Sequence, residues 1–299
     1  MAATDPLVAD LPELSIRQLR YLVAVADEPS WALAAARVGV SPSALSQGLA
    51  ELERRIGVEL FEAAGRRRVL RIAAAPVLDH ARHVLALTRD LVAWSDRVRT
   101  GRSGRVRLGM IDVAAVVHYP DVVRAFRRER PAVDFTMSVA PSAALLDALV
   151  AAALDLAVVV EPPSPWPGVA TEPLFDEPLV VVAPPEQATD DPSTWGPWVT
   201  FPRGSHTRVL ILDRLRARGV SRSITAESHQ PPVLVQLVRL GLGWTVLPVS
   251  DLPADVVPGP ELARRRLVLA SRVGAVRDPS VEEVAARLRQ GTASPSSVT

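Results

Sequence analysis

The sequence predicts three consecutive parts: a mainly α-helical winged helix-turn-helix over residues 15–72, a long linker helix over 73–100, and an α/β domain over 104–290. Short helical patterns separated by Ser, Pro and Gly predict the first part. An apolar repeat with coiled-coil spacing predicts the second part. Apolar strand runs that alternate with amphipathic helices predict the third, and 299 residues are enough for two or three domains.

The first part contains three helix signals in close succession. Ser15 and Gln18 have the spacing of a capping box, which opens the first helix. A short helix over 31–38 ends at Gly39, and Ser41 is placed to cap a longer helix directly afterwards. A short helix, a tight glycine turn and a longer helix are typical of the helix-turn-helix motif.

A wing follows these helices. Two short apolar runs, 58–61 and 69–72, flank a glycine turn and can pair as strands. Residues 54–72 contain six Arg and two Glu, whereas the whole chain carries a net charge of only +1. Such a local excess of arginine is the electrostatic footprint that phosphate contacts require. We therefore expect this part of the chain to bind double-stranded DNA.

The third helix has a buried face and a small polar face. Its apolar residues recur at helical spacing and are Leu45, Leu49, Leu52 and Ile56. Ser43, Ser46 and Gln47 lie on other faces near the N-terminus, the part of a recognition helix that reaches base edges. Gln47 can form a bidentate pair with adenine. The alternative is an ordinary helix with a polar outer face, but the neighbouring arginines favour DNA binding.

The linker helix carries one narrow apolar stripe. Its members follow steps of three and four residues and are Val84, Leu87, Leu91, Trp94 and Val98. A stripe of this width is typical of a seam between two helices rather than of docking on a globular core. The sequence therefore predicts a homodimer, or a tetramer built from dimers.

The α/β domain is expected to have mostly parallel sheets and two subdomains. We place subdomain I at about 104–161 and 265–290, and subdomain II at about 162–264. A single amphipathic helix is predicted over 114–129. In open α/β sheets, ligands bind at the carboxyl ends of strands. The first strand ends near Asp112, so this end of the domain is a candidate ligand site.

Composition and motifs exclude several classes of function. The chain has no cysteine, which rules out disulfides, Cys-ligated metals and cysteine nucleophiles. The sequence also lacks a G-x-S-x-G elbow, a P-loop and an H-E-x-x-H motif, so we predict no catalytic residue, no metal ligand and no cofactor. The N-terminus does not have the pattern of a signal peptide, and no apolar run is long enough to span a membrane, so we expect a cytoplasmic protein without a membrane partner.

Residues 15–100 resemble the N-terminal part of LysR-type transcriptional regulators, and the similarity continues along nearly the whole chain. The stretches that carry it best are Ala34 with Ala35, 40–53 and 57–67. The resemblance implies a winged helix-turn-helix that reads DNA as a dimer, with RNA polymerase as a further possible partner. The positions that it assigns to DNA contacts are Ser41, Pro42, Ser43, Ser46, Gln47, Arg66 and Arg67.

The sequence departs from the family pattern at a few positions near the DNA-contacting ones. Pro42 stands where many members have Gln, and Gly48 lies inside the recognition helix, where glycine costs roughly 1 kcal/mol relative to alanine. Arg71 and Ala74 replace the usual Thr and Gly. These departures bear on which DNA sequence is bound.

The resemblance also implies an effector-binding domain similar to type 2 periplasmic binding proteins. The effector contacts that it assigns are Asp112, Val113, Ser142, Arg203, Ser205, His206 and Thr207. The alternative is that these are ordinary turn and cap residues, because Ser, Asp and Thr cap helices everywhere. If they do bind a ligand, the acidic Asp112 opposite Arg203 and His206 favours a polar or zwitterionic small molecule.

The function predicted is therefore a sequence-specific DNA-binding transcriptional regulator that responds to a small-molecule effector. One alternative is a regulator with a degenerate pocket that acts without a ligand. A less favoured alternative is a cytoplasmic solute-binding α/β protein, which would have no need of the arginine-rich wing over 66–68.

Overall fold

A computed structural model of the protein describes residues 13–64, 67–100, 104–187, 189, 191–276 and 278–291. The chain divides into two compact units, Met1–Val92 and Ala93–Thr299. The division falls inside the longest helix. No helix in the described ranges combines the length and the apolar character that crossing a membrane demands.

The first unit is mainly helical and has a two-stranded wing. Its elements in chain order are α1 (Ile16–Asp27), α2 (Trp31–Val38), α3 (Pro42–Ile56), β1 (Phe61–Ala64), β2 (Arg67–Leu70), a 3₁₀ turn (Ile72–Ala74) and α4 (Ala75–Thr100). The predicted caps are confirmed: Ser15 and Gln18 form a capping box, Gly39 ends α2 and Ser41 caps α3. Gly57 ends α3, and both glycines have the left-handed conformation. α4 continues the unit and lays one face against it.

The strands of the wing are shifted from the predicted 58–61 and 69–72. β1 and β2 pair antiparallel with Phe61 opposite Leu70 and Ala64 opposite Arg67. The shift has a local cause, because the carboxylate of Glu53 accepts the backbone N–H groups of Leu60, at 2.8 Å, and of Phe61, at 3.2 Å. This contact holds the start of the wing against α3, and the carbonyl of Leu60 accepts the N–H of Arg71 at 2.8 Å just before the ladder begins.

A single core holds the first unit together. Its buried members come from all four helices and the first strand, and they include Leu22, Ala34, Leu45, Leu49, Leu52, Leu60 and Ala81. Ile56, predicted on the buried face of α3, is only partly buried and packs at the edge of this core. Burying these side chains is the main stabilising contribution to the unit.

The second unit is an α/β structure. Its strands are β3 (Arg105–Met110), β4 (Asp134–Val139), β5 (Leu156–Val160), β6 (Val169–Val182), β7 (Trp198–Thr200), β8 (Ile224–Glu227), β9 (Thr245–Pro248) and β10 (Glu261–Arg272). Its α-helices are α5 (Pro120–Glu129), α6 (Ser142–Val150), α7 (His206–Ala217), α8 (Pro231–Arg239) and α9 (Pro279–Gln290). A π-helical turn, Ala114–His118, and a 3₁₀ turn, Val249–Asp251, also matter for the site.

The prediction of one helix over 114–129 is wrong. The segment begins with the π-helical turn and starts again as α5 at Pro120. Proline has no N–H to donate to the preceding turn, so the helical hydrogen bonding is interrupted there. Single π-turns within helices are frequent at functional sites.

The prediction of mostly parallel sheets is also wrong. The main sheet has the order β4-β3-β5-β10-β6-β9, in which β3 is parallel to β4 and β5. The long strand β10 is antiparallel to both β5 and β6, and β6 is antiparallel to β9. The apolar runs in the sequence indicate only short parts of β6 and β10. The full strands are much longer and pair with each other antiparallel.

Two hydrophobic cores share these long strands. Lobe I is the core around β3, β5, α6 and α9, and it includes Leu108, Leu146, Leu156 and Leu269. Lobe II is the core around β7, β9, α7 and α8, and it includes Trp198, Ile211, Leu234 and Trp244. β6 and β10 each contribute residues to both cores. The middle of this strand pair, where Glu177 lies opposite Arg265, therefore marks the junction of the lobes.

Candidate nucleic-acid interface and ligand site

The N-terminus of α3 presents hydroxyl groups to solvent. Ser41 caps the helix, and its Oγ accepts the N–H of Ala44 at 3.2 Å. Ser43 lies within 3.0 Å of it, Oγ to Oγ. Pro42 occupies the first helical position, where its missing N–H costs nothing. Because Ala44 and Leu45 donate to Ser41, this helix end offers phosphate chiefly its positive dipole end, with the N–H of Ser43 beside it.

The DNA-contacting residues predicted on α3 lie on its outer side. Ser41, Pro42, Ser43 and Gln47 are exposed, and Ser46 is half-buried. The opposite face, which holds Leu45, Leu49 and Leu52, is buried. Gln47 has no hydrogen-bond partner within the described ranges, so its amide is available to a base edge.

The arginine-rich segment 54–72 contributes less positive charge than its six arginines suggest. Glu51 pairs with Arg54, Nη2 to Oε1 at 2.5 Å, and with Arg55, Nε to Oε1 at 2.5 Å. Hydrogen bonds from Arg54 and Arg55 lower the pKa of Glu51 to about 2. Arg71 pairs with Glu59 at 2.5 Å. Arg54 and Arg55 thus share the single carboxylate of Glu51, which lies outside the counted window, and Arg71 pairs with Glu59. Two carboxylates offset part of the charge of these three arginines.

The wing tip therefore carries the arginines on which phosphate binding would depend. Arg66 lies outside the described residues. Arg67 is the first residue of β2 and lies opposite Ala64.

The helix α4 has two apolar faces. Leu78, Ala81 and Leu85 are buried in the core of the first unit. The predicted seam starts at the edge of that core, because Val84 is half-buried and packs against it. Further along the helix Leu87 is half-buried, Leu91 is 56% exposed and Trp94 is 46% exposed. The backbone of Val98 continues the helix, and its side chain falls outside the described part of the chain. Exposed apolar residues in a regular stripe favour contact with a partner helix.

In the second unit, the predicted ligand residues of lobe I occupy different environments. Asp112 is exposed and Val113 is buried, both just before the π-helical turn. Ser142 is not the helix N-cap that the sequence predicted, because Pro141 holds that position. The buried Oγ of Ser142 instead accepts the N–H of Val160 at 3.2 Å, which joins the start of α6 to the end of β5.

The predicted residues of lobe II lie at the start of α7. Ser205 is the N-cap, and its Oγ accepts the N–H of Arg208 at 3.3 Å. His206 is buried, and its Nδ1 donates to the carbonyl of Val160 at 3.0 Å. Thr207 is buried and lies 3.4 Å from Nη1 of Arg265. Arg203 is exposed on the preceding loop, apart from these buried contacts.

A cavity of about 680 Å³ opens beside α7. It is bounded by the segment 160–166, by one face of α7 and by β10, and His206 is the predicted residue that lines it. Its charged lining is mixed, because Arg266 pairs with Asp176 at 2.9 Å. The end of β5 therefore joins three features: Ser142, His206 and the wall of this cavity.

The junction of the lobes also contains a polar cluster that the sequence did not reveal. Its centre is the buried Glu177: Oε1 accepts from Nε2 of His118 at 3.0 Å and from the hydroxyl of Ser250, and Oε2 accepts from Nε of Arg265 at 2.7 Å. Asp251 lies 3.9 Å from Nη2 of Arg265. We call these five residues the junction cluster.

Two carboxyl groups of the junction cluster titrate in opposite directions. Burial would raise the pKa of Glu177, but the hydrogen bond from His118 and the charge of Arg265 outweigh it and hold the pKa at about 2. Burial raises the pKa of Asp251 to about 7, with Arg265 opposing this and the charges of Asp112 and Glu177 adding to it. No group of three metal-binding side chains is found among the described residues.

Comparison with known proteins identifies the family. Residues 99–293 match the family of the LysR substrate binding domain, and residues 16–75 match the lysR family of bacterial regulatory helix-turn-helix proteins. The chain belongs to the LysR family. It is thus a DNA-binding transcriptional regulator with an effector-binding domain, as the sequence predicted.

Relatives of this LysR-family chain extend over most of its length. A probable hydrogen peroxide-inducible genes activator of Streptomyces viridosporus is 34% identical over 92% of this chain and 94% of the relative. The regulator IlvR of Caulobacter vibrioides is 30% identical over 79% of this chain and 83% of the relative.

Solved structures show the same fold. Full-length OxyR from Pseudomonas aeruginosa, in a variant form, has a TM-score of 0.60 at 23% identity and covers 93% of this chain and 98% of its own. CbnR, a LysR-family transcriptional regulator, has a TM-score of 0.58 at 20% identity and covers 94% of this chain and 100% of its own. CbnR has also been solved in complex with its target DNA.

Proposed function

We propose that this LysR-family regulator reads DNA through the exposed end of α3. The residues proposed to contact DNA are Ser41, Pro42, Ser43, Ser46 and Gln47, with Arg66 and Arg67 at the wing. The observation that carries this proposal is the outer face of α3, where a capped helix end and the unpartnered amide of Gln47 face solvent. The charge pairing of Arg54, Arg55 and Arg71 leaves the wing tip as the phosphate-binding part.

The regulator acts as a homodimer, or as a tetramer of such dimers. One recognition helix covers only one half-site, so a second copy is needed to read a full operator. The exposed stripe that contains Leu91 and Trp94 is the proposed seam. Residues 15–72, 73–100 and 104–290 form the DNA-binding, linker and effector-binding parts.

The effector acts at the junction of lobe I and lobe II. Asp112, Val113, Ser142, Arg203, Ser205, His206 and Thr207 are the proposed contacts. Ser142 and Val160 both belong to lobe I, whereas His206 comes from lobe II. The hydrogen bond from His206 to Val160 therefore crosses between the lobes, and a ligand that changes their spacing must change this contact. The effector-binding domain binds its ligand and does not convert it into a product. The protein acts in the cytoplasm, where its DNA is.

The name of the Streptomyces relative refers to induction by hydrogen peroxide. This chain cannot respond to peroxide by oxidation of a cysteine thiol. Reversible oxidation by peroxide usually takes place on a cysteine thiolate. This chain contains no cysteine. We therefore propose regulation by reversible binding of a small molecule.

Selection from a randomised duplex library tests the DNA-binding proposal. The purified full chain is expected to enrich two half-sites related by two-fold symmetry and spaced by about one helical turn, roughly 10 base pairs. Enrichment of a single half-site would contradict the proposed dimer. No enrichment over the input library, with affinity that does not depend on salt, would contradict DNA reading altogether.

A further inference from the structure

The cavity beside α7 has an apolar interior that both lobes form together. Val160, Trp166 and Val169 line it and belong to the core of lobe I or pack against that core. Val209 and Leu210 line it from α7, and Leu210 packs against the core of lobe II. The volume of about 680 Å³ is within the usual range for small-molecule sites. The space can therefore hold a compact apolar ligand in contact with both lobes.

His206 supplies a buried hydrogen-bond acceptor on the wall of this cavity. The residue is 8% exposed, and its Nδ1 donates to the carbonyl of Val160 at 3.0 Å. Because a carbonyl can only accept, the neutral ring carries its proton on Nδ1 and keeps a lone pair on Nε2. Among the described residues, Nε2 has no hydrogen-bond partner, and it does not belong to the fully enclosed polar atoms. A ligand in the cavity can donate a hydrogen bond to it.

Trp166 gives the same cavity an aromatic wall next to His206. The two ring centroids lie 6.0 Å apart, with 49° between the ring planes. Trp166 is half-buried, so part of its indole ring is free to pack against a ligand. Pro162, Pro163 and Pro165 line the cavity just before it. Proline fixes its own backbone angle, so this wall needs little ordering when a flat ring binds.

The charges that line the cavity are balanced. Three carboxylates, from Glu161, Asp176 and Asp213, line it together with four arginines. One of these arginines, Arg265, is buried and pairs at 2.7 Å with Glu177, which does not line the cavity. The other three arginines equal the three carboxylates in number. The lining therefore has no excess charge that would favour an anionic or a cationic ligand, and a charged ligand would lose its hydration without full compensation.

We propose that the cavity beside α7 binds a neutral aromatic compound with one O–H or N–H donor, of the phenol or indole class. Its ring packs on Trp166 in the apolar space between the lobes, and its donor forms a hydrogen bond to Nε2 of His206. The inference goes beyond the proposed effector contacts, because His206 is the only one of them that lines this cavity. A ligand bound here contacts both lobes, so its binding restricts their spacing.

Fluorine NMR of the full chain tests the proposal with four probes that share one ring. 4-Fluorophenol should bind about fivefold more tightly than 4-fluoroanisole, in which the donor is methylated, because one neutral hydrogen bond is worth about that factor. 4-Fluorobenzoate and 4-fluorobenzylamine carry a negative and a positive charge, and both should bind more weakly than 4-fluorophenol. Unlabelled indole should displace 4-fluorophenol.

Two substitutions separate the cavity from other surfaces. Val209→Trp should abolish binding, because the larger side chain fills the cavity from a position that is 39% exposed and outside the core. Val233→Trp is the matched control, because Val233 is 40% exposed on α8 and does not line the cavity, and it should bind like the wild type. His206→Phe keeps a ring but removes the acceptor, so it should bind 4-fluorophenol and 4-fluoroanisole equally.

The proposal is overturned if 4-fluorophenol does not bind the wild type, or binds it no more tightly than 4-fluoroanisole. Equal binding of 4-fluorophenol to Val209→Trp and Val233→Trp would also overturn it, as would tighter binding of either charged probe. Binding of a fluorescent duplex to the wild type is measured in parallel. Failure to bind DNA refutes the proposed function and leaves the result for the cavity unaffected.

Discussion

Gly48 lies directly against the ring of Tyr21. A Cβ built on Gly48 would fall 2.8 Å from two carbons of that ring, which is closer than real carbon contacts allow. Tyr21 is 3% exposed and belongs to the core of the first unit. The glycine in the recognition helix is therefore a packing requirement between α1 and α3, and it fixes how closely the two helices approach.

We expect Gly48→Ala to destabilise the first unit. Alanine gains up to about 1 kcal/mol of helix propensity, but the added methyl must push Tyr21 aside at a cost of roughly 1–3 kcal/mol. Urea unfolding measures the difference. Ala50→Gly, on the exposed side of the same helix, should lose propensity without any packing effect. Gly48→Ala should cost less stability when it is introduced into a Tyr21→Leu background than when it is introduced into the wild type. A more stable Gly48→Ala protein would contradict the close contact.

We expect Gln47→Ala to relax the choice of base at one position of each half-site. The lost bidentate contact is worth about 1–3 kcal/mol of discrimination, while non-specific affinity should persist. Selection from randomised DNA gives the base preferences directly. Gln236→Ala, on the exposed face of α8, is the control and should keep the wild-type preferences. Identical preferences in both variants would remove Gln47 from the reading surface.

Replacing Arg66 and Arg67 with alanine should weaken binding to every DNA sequence by a similar factor. Each lost phosphate contact should reduce the slope of log affinity against log salt by roughly one. Fluorescence anisotropy at several salt concentrations measures this slope. Arg239→Ala, which breaks an exposed ion pair with Asp255 in the other unit, should leave it unchanged. An unaltered slope for the double variant would place the phosphate contacts elsewhere.

Leu91→Asp should dissociate the dimer. A carboxylate in a seam between helices would be buried without a partner, which is strongly unfavourable. Light scattering should show monomers, and operator binding should be lost. Val92→Asp is a stringent control, because Val92 is as exposed as Leu91, at 56%, but lies outside the stripe. If the two variants have the same mass as the wild type, the seam lies on another face of α4.

Stability should fall as pH rises through neutrality, and Asp251 should account for part of that fall. Its pKa is raised from 3.8 to about 7 in the folded state, so folding takes up a proton between these values. Stability from this group is complete below about pH 4 and is lost as pH rises through about 7, with an upper limit of roughly 4 kcal/mol. Urea unfolding from about pH 5 to pH 8 should show a flatter profile for Asp251→Asn. A profile equal to that of wild type would contradict the raised pKa.

Local signals in the sequence were sufficient for the first unit. Ser41, Gly39 and Gly57 act through their own backbone and nearest turns, so the helix boundaries follow from the residues themselves. The charge of the wing was harder to judge, because Glu51 lies three and four residues before Arg54 and Arg55 on the same helix. The spacing of Glu51 from Arg54 and Arg55 on a helix predicts this pairing, but the count of charges over 54–72 leaves Glu51 out.

The junction cluster could not be predicted from local patterns. Glu177 meets His118 across 59 residues and Arg265 across 88 residues of sequence. Such contacts depend on the order and direction of strands in the sheet, and the sequence suggested parallel strands where β6 and β10 are antiparallel. The clue that was present is the charge itself: Glu177 stands directly before the apolar run that ends β6, and Arg265 lies just before the apolar run of β10.

The position of β10 in the sheet affects folding during synthesis as well as the stability of the finished domain. β10 lies inside the main sheet, between β5 and β6, yet it begins at Glu261. During synthesis, β5 and β6 leave the ribosome long before the strand that joins them exists, so both expose unpaired edges in the meantime. The first unit shares no strand with this sheet and can fold early. The second must wait for nearly its last residues, which makes the nascent regulator a natural client for chaperones until β10 emerges.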